Sequence, residues 1–394
     1  MNAFSYRSRG LRRQYSRDIL REAAADGVID LASDRYYFED QPSGEIKQAL
    51  EDIYTKAPSA FEASFGEGYG PLVQYLGDRL HSMGCFHYRN DGIIITSGAT
   101  HSAEIAAMLV CNEGDAVICG EYAGESILGA FSSCGARLVG VPSDDEGMSA
   151  EGLEKALKEN GRTAFLYVMP DHEEPTGVCM SVQRRSEIIE LARRYNILVV
   201  ENVSMSNLGF SGEILPALRS LDDRGNVITI SSFADTVSPA LNVGFICAEK
   251  GICAKAAAAV HSTIRCVDPA AQMIVYRLLS SGQLEEHLNG LCAAYYSRCQ
   301  KMLFDLSYKM PSSFSFSAPE GGRCVWGTLP FGEDPEKFFR RALEYKVAVM
   351  PGRVFLTEEG KSTLSFRISF SQPDDEAISR GVGQLAAAAG SFYG

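Results

Sequence analysis

The sequence predicts an α/β protein, with a mostly parallel central sheet sandwiched by helices and a smaller α+β C-terminal domain. Three observations carry this expectation. From about residue 93 to 250, short β-rich apolar runs alternate with helical stretches. Near-continuous apolar strands separated by helices mark a parallel sheet covered on both faces. Residues 281–310 read as one long helix, and shorter β runs with two further helices follow it.

The elements can be read in order. IIIT (93–96), DAVIC (115–119), ARLVGV (136–141), TAFLYVM (163–169), ILVVE (197–201), NVITI (226–230) and VGFICA (243–248) are the expected strands. HSAEIAAMLV, EGLEKALKEN and QRRSEIIELARRY supply helices between them. VWGTL, VAVM and TLSFRISF form the C-terminal β runs, with helices at 334–345 and 374–389. The expected division is a large domain over 61–280, a connecting helix over 281–310 and a small domain over 311–394. Residues 1–60 are expected to pack with the small domain.

Composition sets the class. The chain has 394 residues, 45% hydrophobic and 22% charged, which excludes a disordered or collagen-like protein. Fifty acidic against 37 basic residues give a formal charge of −13, a poor match for nucleic acid or an anionic membrane. Eleven cysteines without a CxxC pair fit reduced thiols. The polar N-terminus lacks the apolar stretch of a secretory signal, and no apolar run reaches the ~18 residues of a membrane span. A cytoplasmic location is expected. His101 and His172 have carboxylates nearby but no HxH or HExxH spacing, so no metal site is expected.

In a sheet of this kind ligands bind at the carboxyl ends of the strands. The loops there are TSGATHS (96–102), PDHEEPTG (170–177), ENVSM (201–205) and SSFADTVSPALNVG (231–244). TSGATH, carrying Thr100 and His101, opens a helix and so offers an anion cup of backbone N–H groups.

Taken together, these segments resemble the class I/II aminotransferases of the pyridoxal-phosphate (PLP) fold type I. The closest likeness is to the 2-aminoadipate and kynurenine aminotransferase branch. GVIDLAS, GYGPLVQYL, IIITSGATHSA, MPDHEEPTGVCMSVQRR, ILVVEN, ITISSFADTVSPALNVGFI, APEGGRCVWGTLP, VAVMPGRVF and FRISFS fall in family order nearly end to end. The resemblance implies that fold, a role in amino-acid metabolism, and a homodimer that builds its pocket at the subunit interface. The GYGPL loop (68–72) and the helix 281–310 are the segments expected near that interface. The DNA-binding arm of the related regulators is not expected, because no helix-turn-helix precedes the match in this sequence.

The resemblance also implies where the chemistry departs. The family's Schiff-base lysine falls at Asp235, in Ser232-Phe233-Ala234-Asp235, and a carboxylate forms no imine. The Asp that keeps the pyridine nitrogen protonated falls at Asn202, and the Tyr that bonds the ring hydroxyl at Met205. The Asn of the NPTG motif is Glu174, and the phosphate-clamping Arg is Asn242. The ring-stacking aromatic aligns with Gly124, with Tyr122 close by, and the tyrosine that reaches across from the partner subunit aligns with Ala63. One element is kept: Arg367, in Phe366-Arg367-Ile368, matches the Arg that pairs with the substrate's α-carboxylate.

These exchanges make the pocket more acidic. Each like-charge pair at ~8 Å costs about 2 kcal/mol at an effective dielectric of ~20, and a lost phosphate-binding Arg removes bonds of about 1.5–3 kcal/mol. On this reading no cofactor is expected. The main expectation is a PLP-independent enzyme working by acid/base chemistry on an amino-acid-like carboxylate. Asp235 and Glu174 would be catalytic, Arg367 the anchor, and Asn202, Thr100, His101 and Tyr122 would line the ligand. One alternative is a non-catalytic partner or ligand-binding subunit, as homodimer or beside an active paralogue. The other is a PLP-dependent transaminase using another lysine, and neither Lys250 nor Lys255 lies in a matching strand-end loop.

Overall fold

The computed structural model describes residues 8, 10–34, 42–56, 66–331 and 334–393. In chain order the strands are β1 (Ile29–Asp30), β2 (Asp91–Thr96), β3 (Ala116–Gly120), β4 (Arg137–Val141), β5 (Ser143–Asp144), β6 (Gly147–Met148), β7 (Thr163–Val168) and β8 (Leu198–Asn202). They continue with β9 (Val227–Ser232), β10 (Gly244–Glu249), β11 (Ser315–Phe316), β12 (Cys324–Thr328), β13 (Val347–Ala348), β14 (Met350–Pro351) and β15 (Ser365–Ser369).

Seven strands form the central sheet in the order β2-β10-β9-β8-β7-β3-β4. Side chains alternate between its faces, as strand geometry requires. Val117, Cys119, Val200, Ile228 and Ile230 join a core with helices Gly98–Val110, Glu125–Ser133 and Lys250–Ile264. Ile118, Leu166, Val199 and Val227 face the opposite way, onto helices Ala150–Glu159 and Val182–Tyr195.

One strand departs from the parallel expectation. β10 runs antiparallel to both neighbours, with Gly244 opposite Thr96 and Ser232. The reason lies in the connection: residues 233–243 hold turns and no helix, too little chain for the helical crossover that a parallel return normally needs. Gly244 is required there. A Cβ at this position would lie 2.5 Å from the Ser231 carbonyl oxygen and 2.8 Å from Gly98.

The C-terminal sheet has the order β11-β12-β15-β14 and is antiparallel. β1, from the N-terminal segment, pairs in parallel with β13 through Ile29↔Val347 and Asp30↔Ala348. The long helix spans Gln283–Lys309, slightly less than expected. Gly282 (φ 78°) adopts the left-handed conformation and separates it from helix Pro269–Ser280, which Asp268 caps by accepting from the Ala271 N–H at 2.9 Å. Among the described residues, no helix is long and apolar enough to cross a membrane.

Candidate functional site

The loops after β7 and β9, the segment after β1, and strands β12 and β15 of the C-terminal sheet bring five charged side chains together. Arg367, at the centre of β15, donates through Nη1 to Glu174 Oε1 at 3.0 Å and to Asp34 Oδ2 at 3.1 Å. Its Nη2 donates to the Ala32 carbonyl at 3.0 Å, and the guanidinium lies 4.8 Å from the centre of the Phe355 ring. Arg323, just before β12, donates through Nη1 to Asp235 Oδ1 at 2.8 Å and to the Asp34 carbonyl at 3.0 Å, while its Nη2 approaches Asp34 Oδ2 at 3.5 Å.

Strand alternation puts Arg367 on the face of β15 away from Phe366 and Ile368, and both faces of the strand are buried. Burial pushes the Asp34 carboxyl up, but Arg367 and Arg323 together outweigh it and hold it at about 2. Glu174 moves the other way: burial, and then the neighbouring Asp34 charge, raise it more than the two arginines lower it. Glu174 therefore ionises less readily than an ordinary glutamate, in a cluster where two guanidiniums face three acidic side chains. Gly124 makes the room for Glu174, since a Cβ there would lie 3.1 Å from Oε2.

The other expected residues divide between this cluster and its surroundings. Asn202 is buried and already spent: Nδ2 donates to Tyr167 Oη at 3.1 Å, and Oδ1 accepts from the Ser204 amide and hydroxyl at 3.1 and 2.7 Å. Met205 belongs to the apolar core. Ser232 Oγ accepts from the Ala234 N–H at 3.0 Å, closing the turn that presents Asp235. Asn242 (φ 41°) donates to Ser97 Oγ at 3.1 Å, beside the start of helix Gly98–Val110. Thr100 hydrogen-bonds Ser126 at 3.2 Å. Tyr122 bonds Thr363 at 2.7 Å and packs edge-on against Trp326.

Both histidines have structural surroundings. His101 Nδ1 accepts from the Ser97 N–H at 3.1 Å and Nε2 meets Thr263 Oγ1 at 3.2 Å, and burial lowers its pKa. His172 (φ 48°) is buried against Gly209 and Gly321, which have no side chain to obstruct its ring. Ala63 lies outside the described residues. Sequence reasoning missed Arg323 and Asp34. The signal for Arg323 was chemical: Asp235 and Glu174 beside each other demand a cation, and Arg323 stands in the APEGGRCVWGTLP segment. A cavity of about 90 Å³ is lined largely by apolar side chains, among them Leu76, Phe233, Phe245 and Leu288.

The family model for aminotransferase class I and II matches residues 26–385, and the chain belongs to that family. It is 28% identical to aromatic-amino-acid aminotransferase 1 of Thermococcus litoralis, over 97% of this chain and 93% of that protein. It is 30% identical to the 2-aminoadipate transaminase of Thermus thermophilus, over 94% and 92%. The kynurenine aminotransferase of Pyrococcus horikoshii, solved in complex with PMP, KYN as substrate and KYA as product, superposes with a TM-score of 0.94 at 29% identity, over 100% of this chain and 98% of that one.

These relatives correct two expectations. The family and its near members use PLP, so the expectation of no cofactor does not stand. The PLP-independent acid/base enzyme falls with it, because the relatives favour PLP-dependent transamination. The electrostatic argument behind both omitted Arg323, a cation that stands in the cluster and neutralises Asp235.

A lysine-linked PLP nevertheless does not fit these residues. Asp235 carries no amine and holds Arg323. Lys250 follows the far end of β10, at the opposite end of that strand from the Asp235 loop, where Nζ donates to the carbonyls of Tyr88 and Arg89. The helix start at Gly98–Thr100 keeps backbone N–H groups for an anion, without a cationic side chain from Asn242.

Proposed function

We propose that this protein serves the amino-group chemistry of its family, on an α-amino acid or 2-oxo acid whose carboxylate is received by Arg367, with PLP as the cofactor of that reaction. The observation that supports this most is the extent of the similarity, which runs through nearly the whole chain at a TM-score of 0.94 to a PMP-bound aminotransferase. Arg367 adds to it: a buried guanidinium, backed by an aromatic ring, presents a planar fork suited to a carboxylate. The cofactor would be held without a lysine link.

A second reading is favoured by one observation, the Asp235–Arg323 pair at the lysine position. It is a ligand-binding or partner subunit without turnover of its own, as homodimer or beside an active paralogue. Spectroscopic titration of the purified protein with PLP and with PMP, followed by an amino-acid and 2-oxo-acid panel, separates the two. A bound-cofactor spectrum that changes with substrate supports the first reading. Carboxylate binding with no cofactor spectrum and no turnover supports the second.

A further inference from the structure

Two buried arginines in this cluster share one carboxylate, and it is the protein's own. Asp34 Oδ2 lies 3.1 Å from Arg367 Nη1 and 3.5 Å from Arg323 Nη2. The arginine side chains are 4% and 9% exposed, whereas that of Asp34 is 36% exposed. The arginines are fixed by neighbours: Arg367 by the Ala32 carbonyl and the Phe355 ring, Arg323 by Asp235 and the Asp34 carbonyl. The Asp34 carboxylate is thus the most exposed of the five side chains, ahead of Glu174 at 28% and Asp235 at 26%.

Arg367 also has an incomplete set of partners. Its Nε is buried and makes no hydrogen bond among the described residues, although buried guanidinium donors are normally all engaged. Asp34 and Glu174 both approach through Nη1 and the Ala32 carbonyl takes Nη2, so neither carboxylate engages the guanidinium side-on.

We propose that Asp34 is an internal competitor occupying the seat of a ligand carboxylate, and that Arg323 is a second carboxylate-binding residue of that seat beside Arg367. This deepens, and rests on, the reading that the cleft takes an amino or 2-oxo acid by its carboxylate. Exchange of one carboxylate for another leaves the balance among Arg323, Arg367, Asp235 and Glu174 unchanged. Binding without displacement would set a fourth acid against two guanidiniums and is disfavoured. The site therefore selects a ligand carboxylate that outcompetes Asp34, and it discriminates against the corresponding amide.

Calorimetric titration of the full-length protein with pyruvate, phenylpyruvate and 2-oxoglutarate tests this, using wild type, Asp34→Asn, Arg323→Met and Arg367→Ala. Whichever probe binds wild type should bind Asp34→Asn about tenfold more tightly and Arg323→Met about tenfold more weakly. Asp34→Ser repeats the first measurement should the Asn variant fold poorly. Binding that is lost in Arg367→Ala but unchanged in the Asp34 and Arg323 variants overturns this inference and leaves the carboxylate reading intact. Absence of binding by every probe to every variant overturns both.

Discussion

Asp235 and Arg323 stand 88 residues apart in the chain and meet through a 2.8 Å ion pair, joining the loop after β9 to the start of β12 in the C-terminal sheet. The acidic residue at the family's lysine position is therefore not an isolated loss. It has a dedicated counter-ion on the opposite wall.

The first prediction follows from that pairing. Asp235→Lys would set an ammonium against a buried guanidinium, with Asp34 left as the remaining anion near Arg323. Removing one member of a buried pair costs up to about 3–5 kcal/mol; since the Asp235 side chain is 26% exposed, about 1–3 kcal/mol is expected here. Adding Arg323→Met should recover most of the loss in thermal midpoint. A single Asp235→Lys as stable as wild type would show that the pair is energetically idle.

Glu173 gives a pH dependence with a definite sign. Burial raises its carboxyl from 4.5 to about 7, against a smaller lowering by Thr176, whose hydroxyl donates to Oε2 at 3.0 Å. The folded state then holds a proton that the unfolded state has released, so stability falls as pH rises from about 4.5 to about 7 and levels off above. Glu173→Gln should be near neutral at the acid end of that window and stabilising at its alkaline end. The residue keeps partial exposure, which discounts the gain to about 1 kcal/mol. Chemical denaturation at both ends of the window measures it. A gain of equal size at both would remove the titration from the explanation.

Gly244 tests the close approach of β10 to the anion cup. Gly244→Ala places a methyl group 2.5 Å from the Ser231 carbonyl oxygen and 2.8 Å from Gly98, both backbone atoms that cannot turn aside. We expect a loss of about 1–3 kcal/mol in denaturant titrations. Ala240→Gly on the preceding loop, where the side chain is exposed, should change stability far less.

Assembly supplies the fourth prediction. The homodimer expected from the sequence would show twice the 42.8 kDa chain mass by light scattering at micromolar concentration. A monomer under those conditions would count against a shared pocket. Mass spectrometry of the species should find this chain alone, rather than a paralogue beside it.

Most of the fold was legible because its signals are local. Val117, Ile118 and Cys119 announce a strand buried on both faces, and Gly98, Thr100 and His101 announce a helix start, by rules acting over a few residues. The site was legible only in part. Asp235, Glu174 and Arg367 could be picked out by position, and the structure brings them into one cluster. What joins them could not. Arg323 and Asp34 come from segments distant in the chain, and the contacts 289 and 333 residues apart that unite the cluster exist only after folding. The direction of β10 was hidden for a similar reason, since pairing partners are not written in a strand's own residues.

The placement of β10 has a consequence for how the chain emerges during synthesis. β2 has one neighbour in the sheet, and that neighbour is β10, about 150 residues later. Until those residues leave the ribosome, β2 presents a whole open edge of Ile93, Ile94 and Ile95 with nothing to zip against. Partners that are so remote slow folding and leave sticky edges uncovered in the meantime. The nascent chain thus carries an unpaired β2 throughout the interval between β2 and β10, and a pause in translation inside that interval would prolong the exposure.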